Sequence, residues 1–216
     1  MQPWQLAFLG KHELPRELTS FELHYFFSYS NAEKQAIRTR RRALNQLGAA
    51  LHLGFMKMSG CALDAFDMVP RTLLTHLGRE LEMDVPTLTS LRALYSRRST
   101  LYEHQRWAAA TLGLSPSNEY QQRALTGLIK KESYKALTRA QLVSFARSWC
   151  YQHKLLIPGD RKLNNLVRRA IPQAEEELLG AVKNAIPELL RNDWLAALSS
   201  MRSEKRSVLE WLQGEP

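Results

Sequence analysis

The sequence predicts an all-α protein, in which about ten helices form two small helical modules with helix-turn-helix-like units, followed by a helical connector. Helix-start signals recur along the chain, whereas sustained period-two alternation and Asn-Gly or Asp-Gly hairpin turns are absent from the sequence. Four S/T-x-x-E/Q capping boxes, in which side chains satisfy backbone N–H groups at a helix start, mark four of these starts. They pair Thr19 with Glu22, Ser30 with Glu33, Thr100 with Glu103, and Thr138 with Gln141.

Four prolines indicate further helix starts, because a missing N–H costs nothing in the first turn of a helix. They are Pro70, Pro86, Pro116 and Pro187. Combined with the apolar spacing, these signals predict helices over residues 20–29, 31–58, 70–82, 86–95, 101–112, 117–132, 139–153, 160–184, 187–199 and 203–212.

Residues 38–58 join a cluster of cations to a long apolar stripe, and we expect both on one helix. The stripe has the three- or four-residue spacing of a single helix face and consists of Leu44, Leu47, Leu51, Phe55 and Met58. The cluster just before it consists of Arg38, Arg40, Arg41 and Arg42. These guanidinium groups suit a polyanion, although a core helix with a solvated basic start is the alternative.

Charge is distributed unevenly along the chain, whose net charge is +9 and whose pI is about 9.8. Residues 116–172 carry eleven cations and three anions, whereas residues 173–216 carry five cations and eight anions. A basic body of this kind favours a polyanionic partner, nucleic acid first and an acidic membrane surface second. We therefore predict a first DNA-binding module over residues 1–115, a second over 116–172, and a helical connector over 173–216.

Several protein classes fit the sequence poorly. Cys61 and Cys150 are isolated and form no disulfide framework, which favours a reducing cytoplasm. The N-terminus lacks the basic region and cleavage site of a signal peptide, and no apolar run approaches the roughly 18 residues of a membrane span.

The first helix-turn-helix-like unit covers residues 74–98. Gly78 allows two helices to approach closely, and Leu88 and Leu91 return to the core from the second helix. Glu82 stands where such turns often carry glycine, so we expect a longer or differently shaped turn. An ordinary αα-hairpin fits the pattern equally well, but cations on and after the second helix favour DNA. These cations are Arg92, Arg97 and Arg98.

The second unit covers residues 137–170 and presents a more polar outer face. Its second helix combines cations that suit phosphates with amides that can read adenine, whereas the alternative is a merely basic surface helix. The residues concerned are Arg161, Lys162, Asn164, Asn165, Arg168 and Arg169.

Motifs for catalysis are missing from the sequence, which contains no zinc-ligand spacing, no glycine-rich phosphate loop and no nucleophile elbow. Four acidic residues that could bind Mg²⁺, at positions 64, 67, 84 and 160, are scattered over predicted helix ends, where N-capping explains them more simply. We therefore predict no catalytic residue and no metal site in this chain.

Four ordered blocks resemble the N-terminal region of the large transposases of Tn-three-type, class II replicative transposons. They are RRRALNQLGAALHLGFMKMSGCAL, VPRTLLTHLGRELEMD, YSRRSTLYEHQRWAAATLGL and LLIPGDRKLNNLVRRAI, and the closing RSVLEWLQGEP resembles the passage that follows them. The resemblance implies sequence-specific binding of the terminal inverted repeats of a transposon. It also implies that the Asp-Asp-Glu site, which needs Mg²⁺, belongs to a later region outside this chain.

The prediction is therefore binding of duplex DNA in the bacterial cytoplasm, on the nucleoid, without a cofactor. Phosphate contacts are assigned to Arg38, Arg40, Arg41, Arg42, Lys130 and Lys131, and positions near base edges to Arg97, Arg98, Arg161, Lys162, Asn164 and Asn165. A helical module that holds transposase subunits together, with only non-specific DNA affinity, is the alternative. An autonomous nuclease would require a metal site that the sequence does not indicate.

Overall fold

The computed structural model of the chain describes residues 3–64, 66, 68–135, 137–203 and 206–207. In these residues the chain forms eleven helices and one short antiparallel pair of strands, so the predicted all-α class is confirmed. The helices are α1 (Pro3–Leu6), α2 (Ser20–Phe27), α3 (Asn31–Arg38), α4 (Ala43–Ser59), α5 (Arg71–Leu81), α6 (Leu88–Leu94), α7 (Arg98–Leu112), α8 (Glu119–Ser133), α9 (Arg139–Gln152), α10 (Asp160–Ala185) and α11 (Glu188–Ser199). The strands are β1 (Met201–Ser203) and β2 (Arg206–Ser207).

Helix α4 is the centre of the fold, and it is buried on nearly all sides rather than along one stripe. Every residue from Leu47 to Met56 is buried, and the helix packs most extensively against α7 while also contacting α2, α3, α5 and α6. Two glycines allow this close packing, because a Cβ at Gly54 would meet the Phe27 ring and one at Gly48 would meet the Tyr95 hydroxyl. A helix surrounded by other helices has no face left for solvent.

The predicted single helix over residues 31–58 is wrong, since a turn over residues 39–42 separates α3 from α4. Arg42 is the N-cap of α4 and has extended backbone angles, with φ −126° and ψ 140°. The Gln46 side chain stabilises the turn by donating from Nε2 to the Arg40 carbonyl over 2.7 Å. Arg41 and Arg42 therefore lie on an exposed turn, where water can solvate their neighbouring like charges, whereas Arg38 ends α3 and Arg40 is mostly buried.

Three of the four predicted capping boxes are confirmed, namely those that begin α2, α3 and α9. The fourth is wrong, because α7 begins at Arg98 and its N-cap is Arg97 rather than Thr100. The Glu103 carboxylate pairs with Arg40 instead of the Thr100 backbone. A box that the prediction missed joins Asn118 to Gln121 at the start of α8, because its cap is Asn rather than Ser or Thr.

The turn between α5 and α6 is left-handed at Glu82 itself, with φ 56° and ψ 46°. Its geometry is that of a Schellman-type end, in which the Met83 N–H donates to the Gly78 carbonyl over 2.9 Å. Of the two predicted alternatives, a longer or a differently shaped turn, the second is not seen at Glu82, because this residue itself adopts the left-handed conformation. The connection is nevertheless longer than a three- or four-residue turn, since α6 begins only at Leu88.

The chain divides into two compact units, Met1–Ala170 and Ile171–Pro216. Within the first unit, the connection between α9 and α10 bonds to earlier segments. The Leu156 N–H donates to the Ser115 carbonyl and the Ile157 N–H to the Gly60 carbonyl, both over 2.9 Å. The functional division into modules over residues 1–115, 116–172 and 173–216 stays a prediction.

The second unit contains α11, the end of α10 and the two short strands. The helix predicted over residues 203–212 is wrong at residues 203, 206 and 207, which pair in the strands, and its other residues lie outside the described part. Residues 202–207, RSEKRS, offer no apolar side chain that a helix face could bury.

Candidate nucleic-acid interface

The turn between α3 and α4 faces the start of α7 across a cleft of about 720 Å³. We call it the arginine cleft, because its lining includes four arginines from two distant parts of the sequence. The polar and charged residues that line it are Thr39, Arg40, Arg41, Arg42, Asn45, Ser96, Arg97, Thr100, Glu103 and His104. Packing of α4 against α7 brings the two parts together.

Arg40 forms a fixed wall of the arginine cleft. Its Nη1 lies 2.6 Å from Glu103 Oε1, and its guanidinium carbon lies 5.0 Å from the centroid of the Trp107 ring. Only 18% of the Arg40 side chain is exposed. This arginine is therefore held by an ion pair and a cation–π contact, and its role in the cleft is structural as well as electrostatic.

Arg41, Arg42 and Arg97 differ from Arg40 because their side chains are exposed. Within the described part of the chain, none of the three has an ion-pair or hydrogen-bond partner for its guanidinium group. Three solvated guanidinium groups at one cleft present a strong positive field and many N–H donors to an anion.

His104 lines the arginine cleft and forms what we call its floor. His104 is 2% exposed, and its Nδ1 lies 2.9 Å from the Tyr95 hydroxyl. Burial, followed by the charge of Arg40, lowers the pKa of His104, so the ring is neutral. Burial also raises the pKa of Tyr95, which keeps its hydroxyl protonated.

Behind this floor, His52 is fully buried between aromatic rings. Its ring centroid lies 5.4 Å from that of Phe66 and 5.3 Å from that of Tyr95. Neither ring nitrogen of His52 has a hydrogen-bond partner among the described residues. Burial, with a smaller contribution from His104, lowers the pKa of His52 from 6.5 to about 3. His52 is therefore a residue of the core.

The exposed side of α10 within the first unit carries a second group of cations. Leu163, Val167 and Ala170 are buried on the opposite side. We call the exposed residues the α10 basic face: Arg161, Lys162, Asn165, Arg168 and Arg169. Their three- and four-residue spacing places them along one side of the helix.

Asn164 is bonded to its own surroundings rather than presented to solvent like the α10 basic face. Its Nδ2 donates to the Asp160 carbonyl over 2.9 Å, and its backbone carbonyl accepts from Arg139 Nη2 over 3.3 Å. Its neighbour Asn165 is exposed.

The predicted lysines near the end of α8 differ in their surroundings. Lys131 is exposed, whereas Lys130 is half-buried and lines a groove of about 430 Å³ together with Leu166 of α10 and Arg123. Arg123 was missed in the sequence analysis, and its Nη2 lies 3.1 Å from Glu119 Oε2. The four-residue spacing of Arg123 from Glu119 favours such a helical ion pair.

The remaining predicted arginines lie outside the lining of the arginine cleft. Arg38 Nη2 lies 3.5 Å from Glu82 Oε2 at an exposed position, and Arg92 Nε donates to the Phe66 carbonyl over 3.1 Å. Arg98 is the exposed first residue of α7. The sequence analysis also missed Asn45, which lines the cleft, although its three-residue distance from Arg42 on one helix could have indicated it.

In the described residues, no group of three or more His, Cys, Asp or Glu side chains is placed to hold a metal ion. Across the same residues, no helix combines the length and apolar character needed to cross a membrane.

Comparison with known proteins finds one matching family and similarity to two transposases. Residues 10–170 match the family described as "Domain of unknown function (DUF4158)". The chain is 38% identical over 216 residues to the "Transposase for insertion sequence element IS1071 in transposon Tn5271" of Comamonas testosteroni, covering 100% of this chain and 22% of the relative. It is 18% identical over 193 residues to the "Transposase for transposon Tn1546" of Enterococcus faecium, covering 88% of this chain and 19% of the relative.

The chain thus spans about a fifth of the length of these curated relatives. The resemblance to the N-terminal region of a transposase, inferred from four sequence blocks, is confirmed.

Proposed function

The chain belongs to the DUF4158 family, and from that premise we propose that it binds the terminal inverted repeats of a replicative transposon by sequence, without catalysis of its own. The relatives are named as transposases, and an enzyme of that kind must recognise the ends of its element. Binding takes place on nucleoid DNA in the bacterial cytoplasm. Mg²⁺ chemistry belongs to a separate Asp-Asp-Glu region of the longer transposase.

The observation that carries this proposal is the convergence of unpaired arginines at the arginine cleft. Arg41 and Arg42 come from one turn and Arg97 from another, and all three are exposed. The three positive charges repel one another, which is unfavourable for the folded chain alone. The packing of the core does not require three solvated guanidinium groups at one place. A phosphate backbone supplies the missing counter-charge.

The α10 basic face supports sequence reading rather than charge alone. The exposed amide of Asn165 lies among Arg161, Arg168 and Arg169, and an amide of this kind can bond adenine bidentately in the major groove. Asn165 is better placed for this role than Asn164, whose Nδ2 is engaged by the Asp160 carbonyl. Phosphate contacts at the arginine cleft would set the register in which Asn165 meets a base.

The test is titration of a fluorescent terminal-repeat duplex and a scrambled duplex of equal length with the purified chain, by anisotropy at several salt concentrations. We expect tighter binding to the repeat, and a loss of roughly three to five orders of magnitude between 50 and 200 mM salt if six to ten phosphates are neutralised. Equal affinity for the two duplexes, or an affinity that does not change with salt, would contradict the proposal.

Three variants separate phosphate contact from base reading. The triple variant Arg41→Ala, Arg42→Ala, Arg97→Ala should bind both duplexes more weakly and reduce the salt slope by about 0.9 for each phosphate that is no longer neutralised. Asn165→Ala should instead reduce the preference for the repeat. Arg71→Ala is the matched control, because Arg71 is an exposed arginine at the opposite end of α5 from Glu82 and does not line the cleft.

A second candidate function is a helical interaction module that joins transposase subunits. Exposed apolar side chains in the second unit favour it, including Leu189 at 82%, Leu179 at 69% and Trp194 at 51% exposure. Sedimentation distinguishes the two functions. A dimer that does not bind DNA supports the interaction module, and a monomer that shifts a labelled repeat supports the DNA reader.

A further inference from the structure

Two helices begin at the arginine cleft without a side-chain cap. The N-cap of α4 is Arg42 and that of α7 is Arg97, and neither side chain bonds to its own helix. The first turn of each helix also lacks an acidic residue. Both helix starts therefore lie at the lining of the cleft without a side chain that caps their N–H groups, and each brings the positive end of a helix dipole to it.

A buried donor faces the same space from the floor of the cleft. His104 lines the cleft and is 2% exposed. Its Nδ1 is already hydrogen-bonded to the Tyr95 hydroxyl, which leaves Nε2 as the ring nitrogen that can meet a ligand. When the tyrosine hydroxyl donates to Nδ1, the neutral ring carries its proton on Nε2. The described residues provide no hydrogen-bond partner for that Nε2–H.

Asn45 adds an adjustable group at the third position of α4. Its Oδ1 is buried and lacks a hydrogen-bond partner among the described residues. Rotation of the amide about χ2 would exchange this atom for Nδ2 and so offer another donor.

These groups share one chemical requirement, which is a ligand that only accepts hydrogen bonds and carries negative charge. The only acidic side chain in the described lining is Glu103, and Arg40 neutralises it. The cleft volume of about 720 Å³ is roughly twenty times that of a water molecule, so it has room for a group attached to a larger molecule.

We propose that the arginine cleft binds one phosphodiester group of a DNA backbone between the N-terminal ends of α4 and α7. The side chains of Arg42 and Arg97 hold the two non-bridging oxygens from either side, and His104 Nε2 donates from below. The inference rests on the proposed function only in taking duplex DNA as the partner. A phosphodiester group is the same at every base pair, so this contact cannot distinguish one DNA sequence from another. It fixes the position of the protein along the duplex.

The experiment replaces single phosphates of the duplex, one position at a time, by neutral methylphosphonate and measures the affinity of the whole 216-residue chain by anisotropy. For the natural chain we expect one position at which the replacement weakens binding by roughly tenfold, the effect of losing a charge-assisted contact. The double variant Arg42→Ala, Arg97→Ala should bind unmodified DNA roughly tenfold or more weakly and should no longer respond at that position. Arg71→Ala should retain the response.

Two further measurements use the same anisotropy assay. His104→Phe keeps a ring at the floor but removes the donor. In this variant, methylphosphonate at the sensitive position should weaken DNA binding by a few-fold less than it does in the natural chain. Inorganic sulfate at constant ionic strength should compete with the unmodified duplex, but less well with the duplex that carries methylphosphonate at the sensitive position. Circular dichroism confirms that each variant is folded before its affinity is compared.

Three results would overturn the inference. They are equal small losses at every replaced phosphate, a sensitive position that persists in the double variant, and competition by sulfate without any sensitive position in the DNA, which would indicate a free-anion site. If the natural chain binds repeat and scrambled duplexes equally, the proposed function fails while this test remains valid, because it does not depend on sequence.

Discussion

Arg40 and Glu103 lie sixty-three positions apart in the sequence, and their side chains form an ion pair with 2.6 Å between Nη1 and Oε1. The pair joins the turn before α4 to the second turn of α7 and forms one wall of the arginine cleft. Only 18% of the Arg40 side chain is exposed, against 64% for Glu103. Glu103 therefore limits the positive charge that the cleft presents to solvent.

Glu103→Gln should strengthen DNA binding, because it removes the only carboxylate in the described lining of the cleft while keeping the shape of the side chain. We expect an affinity gain of roughly three- to tenfold at low salt that shrinks at high salt, as a screened charge effect should. The free energy of unfolding should fall by only about 0–1 kcal/mol, since Glu103 is mostly exposed. Anisotropy and urea denaturation measure the two quantities, and weaker binding at low salt would contradict the prediction.

Gly54→Ala should destabilise the protein by about 1–3 kcal/mol, because the added Cβ would overlap the Phe27 ring in the buried core. Gly127→Ala is the matched control on α8, where an added Cβ would meet no atom within 4 Å. That control should stabilise the protein by roughly 0.5–1 kcal/mol through helix propensity. Urea denaturation of the two variants would contradict the packing argument if their effects had the same sign.

Glu82→Gly should raise the free energy of unfolding relative to Glu82→Ala by about 0.5–1 kcal/mol. The reason is the left-handed backbone of Glu82, with φ 56°, which costs any residue with a Cβ roughly 1–2 kcal/mol. The greater freedom of glycine in the unfolded chain offsets part of this gain. Both variants lose the exposed pair with Arg38, so comparison of their urea midpoints isolates the backbone effect. Equal midpoints would show that the turn is not strained.

Stability should fall as the pH is lowered from 6.5 towards 3, because His52 has a folded-state pKa of about 3 and an ordinary value of 6.5. The unfolded chain binds a proton at His52 in this window while the folded chain does not, so acid favours unfolding. The contribution approaches about 1.4 kcal/mol for each pH unit in the middle of the window. At neutral pH and above, this group does not contribute to the pH dependence.

His52→Phe keeps an aromatic ring beside Phe66 and Tyr95 and removes the titrating group. Its unfolding free energy, measured by denaturation at several pH values, should show a shallower slope between pH 6 and pH 4 than that of the natural chain. Parallel pH profiles would contradict the assignment, whatever the absolute stability of the variant.

Local signals were reliable where a helix start depends on residues close in sequence. The boxes at Thr19, Ser30 and Thr138 were predicted from three-residue spacing, and the structure has all three. The box at Thr100 failed because Glu103 has a distant competitor in Arg40, which offers a full positive charge instead of a backbone N–H.

The all-α class, the positions of most helices and the basic character of the chain can be predicted from the sequence, because they depend on composition and on periodicities of three or four residues. The sequence also predicts that Arg38, Arg40, Arg41 and Arg42 suit a polyanion. The folded chain is needed to show that Arg97 lies with Arg40, Arg41 and Arg42 at one cleft and that Glu103 pairs with Arg40 in its wall. That arrangement depends on α4 packing against α7, a long-range interaction that local spacing does not encode.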